Sequence, residues 1–321
     1  MIIKKYNNNF EMQWDNFIKN NSANGTIYHT RKFLNYHPKD RFEDRSILIF
    51  DNSELNNLIC VVPCCKKEDK YFSHSGATYG GPVFSNKSFN VDKVKFIINL
   101  IFEYYDNKFE CRIANNIYFE KEIFHIYYLL SRKSNMKMEL SWYVNINEVN
   151  ILENIVNKDN KRLLKKIMYD NSYTFDKTNN LNAYNKFYDI LKKNLDLNHN
   201  TKPTHSFEEL MYLKKHLKEN LKLFVILKNN DIICGILFIK CTKICWYNLY
   251  TSRNINIKNS GIYLIYLMHK ISQEAKKENV KYLDYGISTE NKGNLLNLGL
   301  SKFKQNSFCG ESNARYLFLL N

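Results

Sequence analysis

The strongest constraint on what this chain can fold into is an order of apolar segments that occurs twice. Ile47-Leu48-Ile49-Phe50, a polar turn and Leu58-Ile59-Cys60-Val61-Val62-Pro63 are matched by Leu223-Phe224-Val225-Ile226-Leu227, the turn Asn229-Asn230-Asp231 and the apolar run 232–239. Short apolar runs on either side of a polar turn read as β-hairpins. Each hairpin is followed by an amphipathic helical pattern, at 91–106 and 261–278, and then by a short strand, at 111–113 and 282–284. An offset of about 170 residues is too long for a solenoid and predicts a duplicated unit. We therefore expect an α/β chain (mixed α+β) in two domains, 1–149 and 150–321. Each would be a mixed, mostly antiparallel sheet flanked by helices. The boundary falls just ahead of a basic helical pattern at 158–171. Hairpins in place of a regular strand-helix alternation, and no G-x-G-x-x-G after any strand, exclude a doubly wound nucleotide fold.

Composition narrows the function classes. With 44% apolar and 15% aromatic residues, and only 4 Pro and 10 Gly, the 321-residue chain is neither disordered nor low-complexity. The longest uncharged apolar candidate, 261–268, is roughly half of a bilayer span, so no transmembrane segment is expected. The start Met1-Ile2-Ile3-Lys4-Lys5-Tyr6 has no apolar stretch with a cleavage site, and a cytoplasmic protein is expected. Net charge is +15, which suits nucleic acid, nucleotide phosphates or coenzyme A. Lys, Asn and Ile are abundant together throughout, as AT-rich coding produces, and scattered lysines more often make solvated faces. None of the eight cysteines forms C-x-x-C and no H-E-x-x-H occurs. Small buried hydrophobes and no metal are the expectation.

Five segments carry candidate chemistry, each with a plainer alternative. His74-Ser75-Gly76-Ala77-Thr78-Tyr79-Gly80-Gly81 holds three of the ten glycines. It reads as a turn between strands or as backbone brought close to a ligand, with His74, Tyr79 and Gly80 beside it. Asn259-Ser260-Gly261 opens a long helix, with Arg253 and Lys258 nearby. Either Ser260 is an ordinary N-cap or the free N–H groups hold a pyrophosphate. Ser206 and Glu209 have capping-box spacing, which leaves His205 ahead of the cap as a structural histidine or a general base. Lys161, Arg162, Lys165 and Lys166 gather on one side of the basic helix, as a solvated face or a phosphate dock. The densest run is Asp284-Tyr285-Gly286 through Glu290, then Asn297 and Lys304. A strand ending in Gly and polar groups ahead of a polar helix face is where α/β proteins open a crevice. Asp284, Tyr285 and Glu290 are acid or base candidates, and Asn297 and Lys304 can bind oxygen; carboxylates at a strand end can equally be caps.

In this order, Gly25-Thr26-Ile27-Tyr28-His29-Thr30, the Ser73–Gly81 run, the basic helix, Thr204-His205-Ser206, Asp284-Tyr285-Gly286 and Gly299-Leu300-Ser301-Lys302-Phe303-Lys304 resemble the tandem GNAT-fold acyltransferases related to the FemABX peptidyltransferases, in the acetyltransferase-like branch. The resemblance covers nearly the whole chain. The F-K-x-x-F-G ending of that group reads here Phe303-Lys304-Gln305-Asn306-Ser307-Phe308-Cys309-Gly310, one residue longer and with Cys before Gly. The Q/R-x-x-G-x-G/A signature is absent. The resemblance implies two GNAT-like domains and acyl transfer to an amine, with acetyl-CoA or another acyl-CoA as co-substrate and no metal. His205, Asp284 and Glu290 become base candidates, Tyr285 the acid and Lys304 the charge stabiliser. Arg253, Lys258, Asn259, Ser260 and Gly261 would hold the donor, and His74, Tyr79, Gly80 and Asn297 the acceptor. The expected acceptor is an amino sugar, nucleotide-linked, of a surface polysaccharide. The alternative is aminoacyl-tRNA-dependent transfer to a peptidoglycan precursor, with tRNA as partner. A non-catalytic nucleic-acid binder lacks any RRM, KH or zinc-finger motif.

Overall fold

The computed structural model describes residues 1–38, 40–52, 54–154, 158–199 and 201–320. The chain forms two compact units, Met1–Leu140 with Thr289–Leu295 and Ala314–Asn321, and Ser141–Ser288 with Leu296–Asn313.

In the first unit, β1 (Ile2–Lys5) leads through α1 (Glu11–Asn16) and α2 (Arg31–Leu34) to β2 (Glu43–Asp44) and the hairpin β3 (Ile47–Phe50) and β4 (Leu58–Val62). These strands are apolar throughout because both faces are covered. Ile47, Ile49, Cys60 and Val62 join one cluster with Ile97 and Ile101, and the alternate residues Leu48, Phe50 and Val61 join Trp14, Phe17 and Ile18. The apolar run 58–65 predicts one strand, but it breaks at Pro63, which has no N–H to give to a ladder. β4 stays in an antiparallel sheet β1-β3-β4-β7, with β7 (Val83–Phe84), while β5 (Cys65–Lys67) pairs with β6 (Lys70–Ser73) in another. Helix α3 (Val91–Tyr104) follows, capped by the Asn90 side chain accepting from Lys93 N. β8 (Phe109–Ile113) then pairs parallel with β6, Tyr71↔Phe109 to Ser73↔Cys111, and α4 (Phe124–Ser131) packs on α3.

The second unit begins within β9 (Asn135–Asn145) and runs through α5 (Lys158–Met168), β10 (Tyr173–Thr178), α6 (Leu181–His199) and α7 (Phe207–Leu217). Ser206 and Glu209 form the expected capping box at α7. The hairpin β11 (Leu221–Lys228) and β12 (Asp231–Lys240) is followed by β13 (Cys245–Arg253), α8 (Ser260–Lys277) and β14 (Tyr282–Ile287). Strand order is β10-β11-β12-β13-β14, with residues 141–145 of β9 beyond β14; every pairing is antiparallel except β13 with β14. Both α6 and α8 pack on β12, which buries the hairpin on two sides. After the short β15 (Thr289–Glu290) and β16 (Leu295–Leu296) comes α9 (Leu298–Phe308). The pattern places this helix at 294–304; it starts later because Asn297 is its N-cap, accepting from Leu300 N at 3.0 Å. In β17 (Glu311–Leu319), residues 316–318 pair antiparallel with 111–113 of β8 inside the first unit.

Candidate functional site

The second unit opens between its two parallel strands. β13 and β14 pair through Cys245↔Tyr282, Trp246↔Leu283 and Tyr247↔Asp284 and then part, although β13 runs on to Arg253 and β14 to Ile287. The cause is local. Asp284 Oδ1 accepts from Gly286 N at 2.7 Å, Gly286 takes φ +72°, and the β14–β9 register shifts at the same point. A Cβ on Gly286 would lie 2.9 Å from the Tyr247 hydroxyl, so only glycine serves here.

The N-terminus of α8 follows β13. Asn259, not Ser260, is the N-cap; it is left-handed (φ 60°, ψ 21°) and its side chain makes no cap bond. The first turn has no acidic residue, Gly261 has open space where a Cβ would be, and Arg253 Nη1 donates to Ser260 Oγ at 2.8 Å. Lys258 and Asn259 are exposed in the preceding loop. Ser260 N and Ile262 N donate to the Ile257 and Asn259 carbonyls, and the positive end of an 18-residue helix without a side-chain cap, with a guanidinium beside it, suits an anion.

Asp284 and Lys304 come together at the end of β14. Asp284 is fully buried, and Lys304 Nζ donates to Gly286 O at 3.0 Å and Ile287 O at 2.6 Å. Burial lowers the Lys304 ammonium to about 8, and the Asp284 charge opposes that fall. Tyr285 is buried with its hydroxyl donating to Phe308 O at 3.0 Å, and burial pushes its phenol well up. It locks α9 to β14 and does not present an acid to the opening. Asn297 spends its side chain on the α9 cap. His205 is buried ahead of α7, its Nδ1 2.7 Å from the Tyr250 hydroxyl, which also accepts from His205 N at 3.2 Å. Tyr247 and Tyr250 escaped the sequence reading, because a tyrosine in an apolar strand gives no sign of which face it occupies.

His74, Tyr79, Gly80 and Glu290 lie in the first unit. His74 is buried and lowered to about 4 by desolvation, stacked 6.0 Å from His37 and edge-on to Phe42. Tyr79 is core, between Tyr28 and Tyr118. Gly80 N donates to Arg112 O at 2.7 Å, one residue past the last β6–β8 pair, and a Cβ on Gly80 would strike the Ser73 backbone. The glycine run thus folds over the end of its own parallel pair. Glu290 is exposed on β15. Among the described residues no group of His, Cys, Asp or Glu assembles a metal site, and no helix is long and apolar enough to cross a membrane.

No family model matches the sequence, and no curated protein matches it either. Solved structures do match. FemX aligns with a TM-score of 0.68 at 11% identity, over 100% of this chain and 98% of that one. A tandem GNAT protein from the clavulanic acid biosynthesis pathway aligns at 0.54 and 5% identity, over 99% and 97%. L-PGS from Bacillus licheniformis aligns at 0.55 and 10% identity, over 87% and 84%. At such identities the likeness defines the fold, which is the FemX-like, tandem GNAT arrangement of mixed sheets flanked by helices.

Proposed function

We propose that the protein is an acyl-CoA-dependent N-acyltransferase, in its simplest form an N-acetyltransferase, acting on the amino group of a nucleotide-linked amino sugar in surface-polysaccharide synthesis. The observation that carries this reading is the parting of β13 from β14 beside an uncapped α8 N-terminus. Amide N–H groups of the first turn of α8, with Arg253 and Lys258, bind the donor's pyrophosphate. Residues 248–253 of β13, which have no β14 partner, offer backbone groups to the donor's amides.

His205 takes the proton of the attacking ammonium, and Tyr250 holds the imidazole in place. The amine nitrogen bonds to the thioester carbon, the carbon–sulfur bond breaks, Tyr247 gives its proton to the thiolate, and the nitrogen's second proton restores the Tyr247 phenol. Lys304 has three N–H bonds, two committed to carbonyls, and turns the third to the oxyanion. Asp284 sustains that positive charge. The amino sugar itself is supported by the resemblance of the motifs alone.

The FemX likeness over the whole chain supports a second reading, aminoacyl-tRNA-dependent transfer to a peptidoglycan precursor. Calorimetric titration separates the two. Saturable heat with acetyl-CoA, and a higher melting temperature from about 2.7 kcal/mol of added stability at 100 times Kd, are expected. Silence with every short acyl-CoA, together with saturable binding of charged tRNA, transfers the proposal to the second reading.

A further inference from the structure

Helix α9 is built inside out. Its buried residues are Ser301, Lys304 and Phe308, while Leu298 and Leu300 on the helix and Leu296 just ahead of it are 55%, 38% and 53% exposed. A surface helix normally buries leucine and exposes lysine. From Leu296 through Gly310 there is no Asp or Glu, and Lys302 stands among the leucines. The basic helix α5 lies close by in the same unit. Both α5 and α9 pack on α8, Cys309 Sγ at the C-cap of α9 donates to Ile151 O ahead of α5, and the Lys161 charge acts on the Cys309 thiol. On α5 only Leu164 and Ile167 are buried, and the exposed Arg162, Lys165 and Lys166 fall at i, i+3 and i+4, one cationic stripe.

We propose that the second unit docks on the surface of an anionic phospholipid bilayer, with Leu296, Leu298 and Leu300 entering the headgroup boundary and Lys302 and the α5 stripe facing lipid phosphates. Shallow apolar insertion combined with basic charge is the two-signal chemistry of peripheral membrane binding. Three leucines offer far less than the ~800 Å² per partner of a standard protein interface, and a protein covering them would have to be acidic all round. A nucleic acid would use the stripe and leave the leucines without purpose. The inference is independent of the acyl-transfer reading, since none of the docking residues is assigned to the donor, the acceptor or the reacting atoms.

The test is sedimentation of the whole protein with vesicles of phosphatidylcholine alone and with about a third phosphatidylglycerol. Retention on the anionic vesicles only, falling about tenfold from about 0.05 M to about 0.3 M salt, is expected. Leu298→Ser with Leu300→Ser should lose about tenfold of that retention at fixed low salt with an unchanged melting temperature, because both side chains are exposed. Lys165→Gln with Lys166→Gln should weaken retention and flatten its salt dependence. No retention at low salt overturns the proposal, and so does retention that the leucine changes leave intact. Binding of a short RNA in place of vesicles also overturns it, and assigns α5 to nucleic acid.

Discussion

The two units use the same device in opposite ways. Each has a parallel strand pair, β6 with β8 and β13 with β14, and each has a long helix that follows its hairpin, α3 and α8. In the first unit the end of the strand pair is covered by the glycine run, and the helix start is closed by the Asn90 cap with Asp92 in its first turn. An anion has no place at such a terminus. In the second unit the strands part, the cap makes no side-chain bond, and the first turn of the helix holds no acid. The buried titratable groups differ in the same sense, a neutral imidazole at His74 against a cation at Lys304. The same element order therefore gives two different termini. What separates them is the side-chain cap and first-turn acid at α3, which α8 lacks, and a covered against a parted strand pair.

The largest expected effect tests the buried cation. Lys304→Met should lower turnover by about 10²- to 10³-fold, the range for losing one oxyanion donor, while acetyl-CoA still binds. Wild-type turnover should fall as pH rises through about 8, where the ammonium is lost, and the variant should lack that limb. Stability should move the other way. A lysine depressed from 10.5 to about 8 binds fewer protons folded than unfolded across that window, so the native state gains stability as pH rises through it. Turnover that is flat through pH 8 would remove Lys304 from the site.

Next, Gly261→Asp should place a carboxylate at the α8 start without steric conflict. It should raise stability by about 0.5 kcal/mol through the helix dipole and yet weaken acetyl-CoA by about a hundredfold. Unchanged affinity would place the donor elsewhere.

The far ends of the two helices sharpen the contrast. Past α3, Tyr105 donates its hydroxyl to Arg45 O; past α8, Glu278 takes Lys177, Lys222 and Lys240 within 3.2 Å. These lysines hold the Glu278 carboxyl at about 2, against the burial that would raise it. Its contribution is present above pH 4.5 and is lost as pH falls through about 2. Glu278→Gln should cost about 2 kcal/mol at pH 7, a discounted value for a partly exposed carboxylate whose loss strands the buried Lys222. Denaturant melts at pH 7 and pH 3 measure it. The smallest effect belongs to α3, where Asn90→Ala should cost about 1 kcal/mol and leave acetyl-CoA affinity unchanged.

Hairpins and long helices were legible because burial on both faces writes itself as unbroken apolar runs, as in Ile47–Phe50 and Asp231–Lys240. Strands Lys70–Ser73 and Tyr173–Thr178 were not, since half-exposed strands mix Lys, Asp and Thr with aromatics and look like loops. The tandem division at 149/150 stands as a proposal drawn from the repeated order. That Asp284 and Lys304 belong to one candidate run was legible from a strand end followed by a helix, and their roles there stand as a proposal. The parting of β13 from β14 was not, because where a ladder stops depends on register and on one left-handed glycine. Asn259 concealed itself for a similar reason, standing before a serine that looks like the better cap.

The pairing of β17 with β8 bears on how the protein is made. Leu320 N reaches Glu110 Oε1 across 210 positions of chain, and Phe318 sits in the first unit's core beside Phe109 and Cys111. During synthesis, then, the polypeptide that emerges first keeps one strand edge and part of its interior open until residues 314–319 leave the ribosome. The later-made unit has nearly all of its own strands by then. The order of completion along this chain is the reverse of the order of translation, and for that interval the unfinished edge of β8 is the place where a chaperone would be needed.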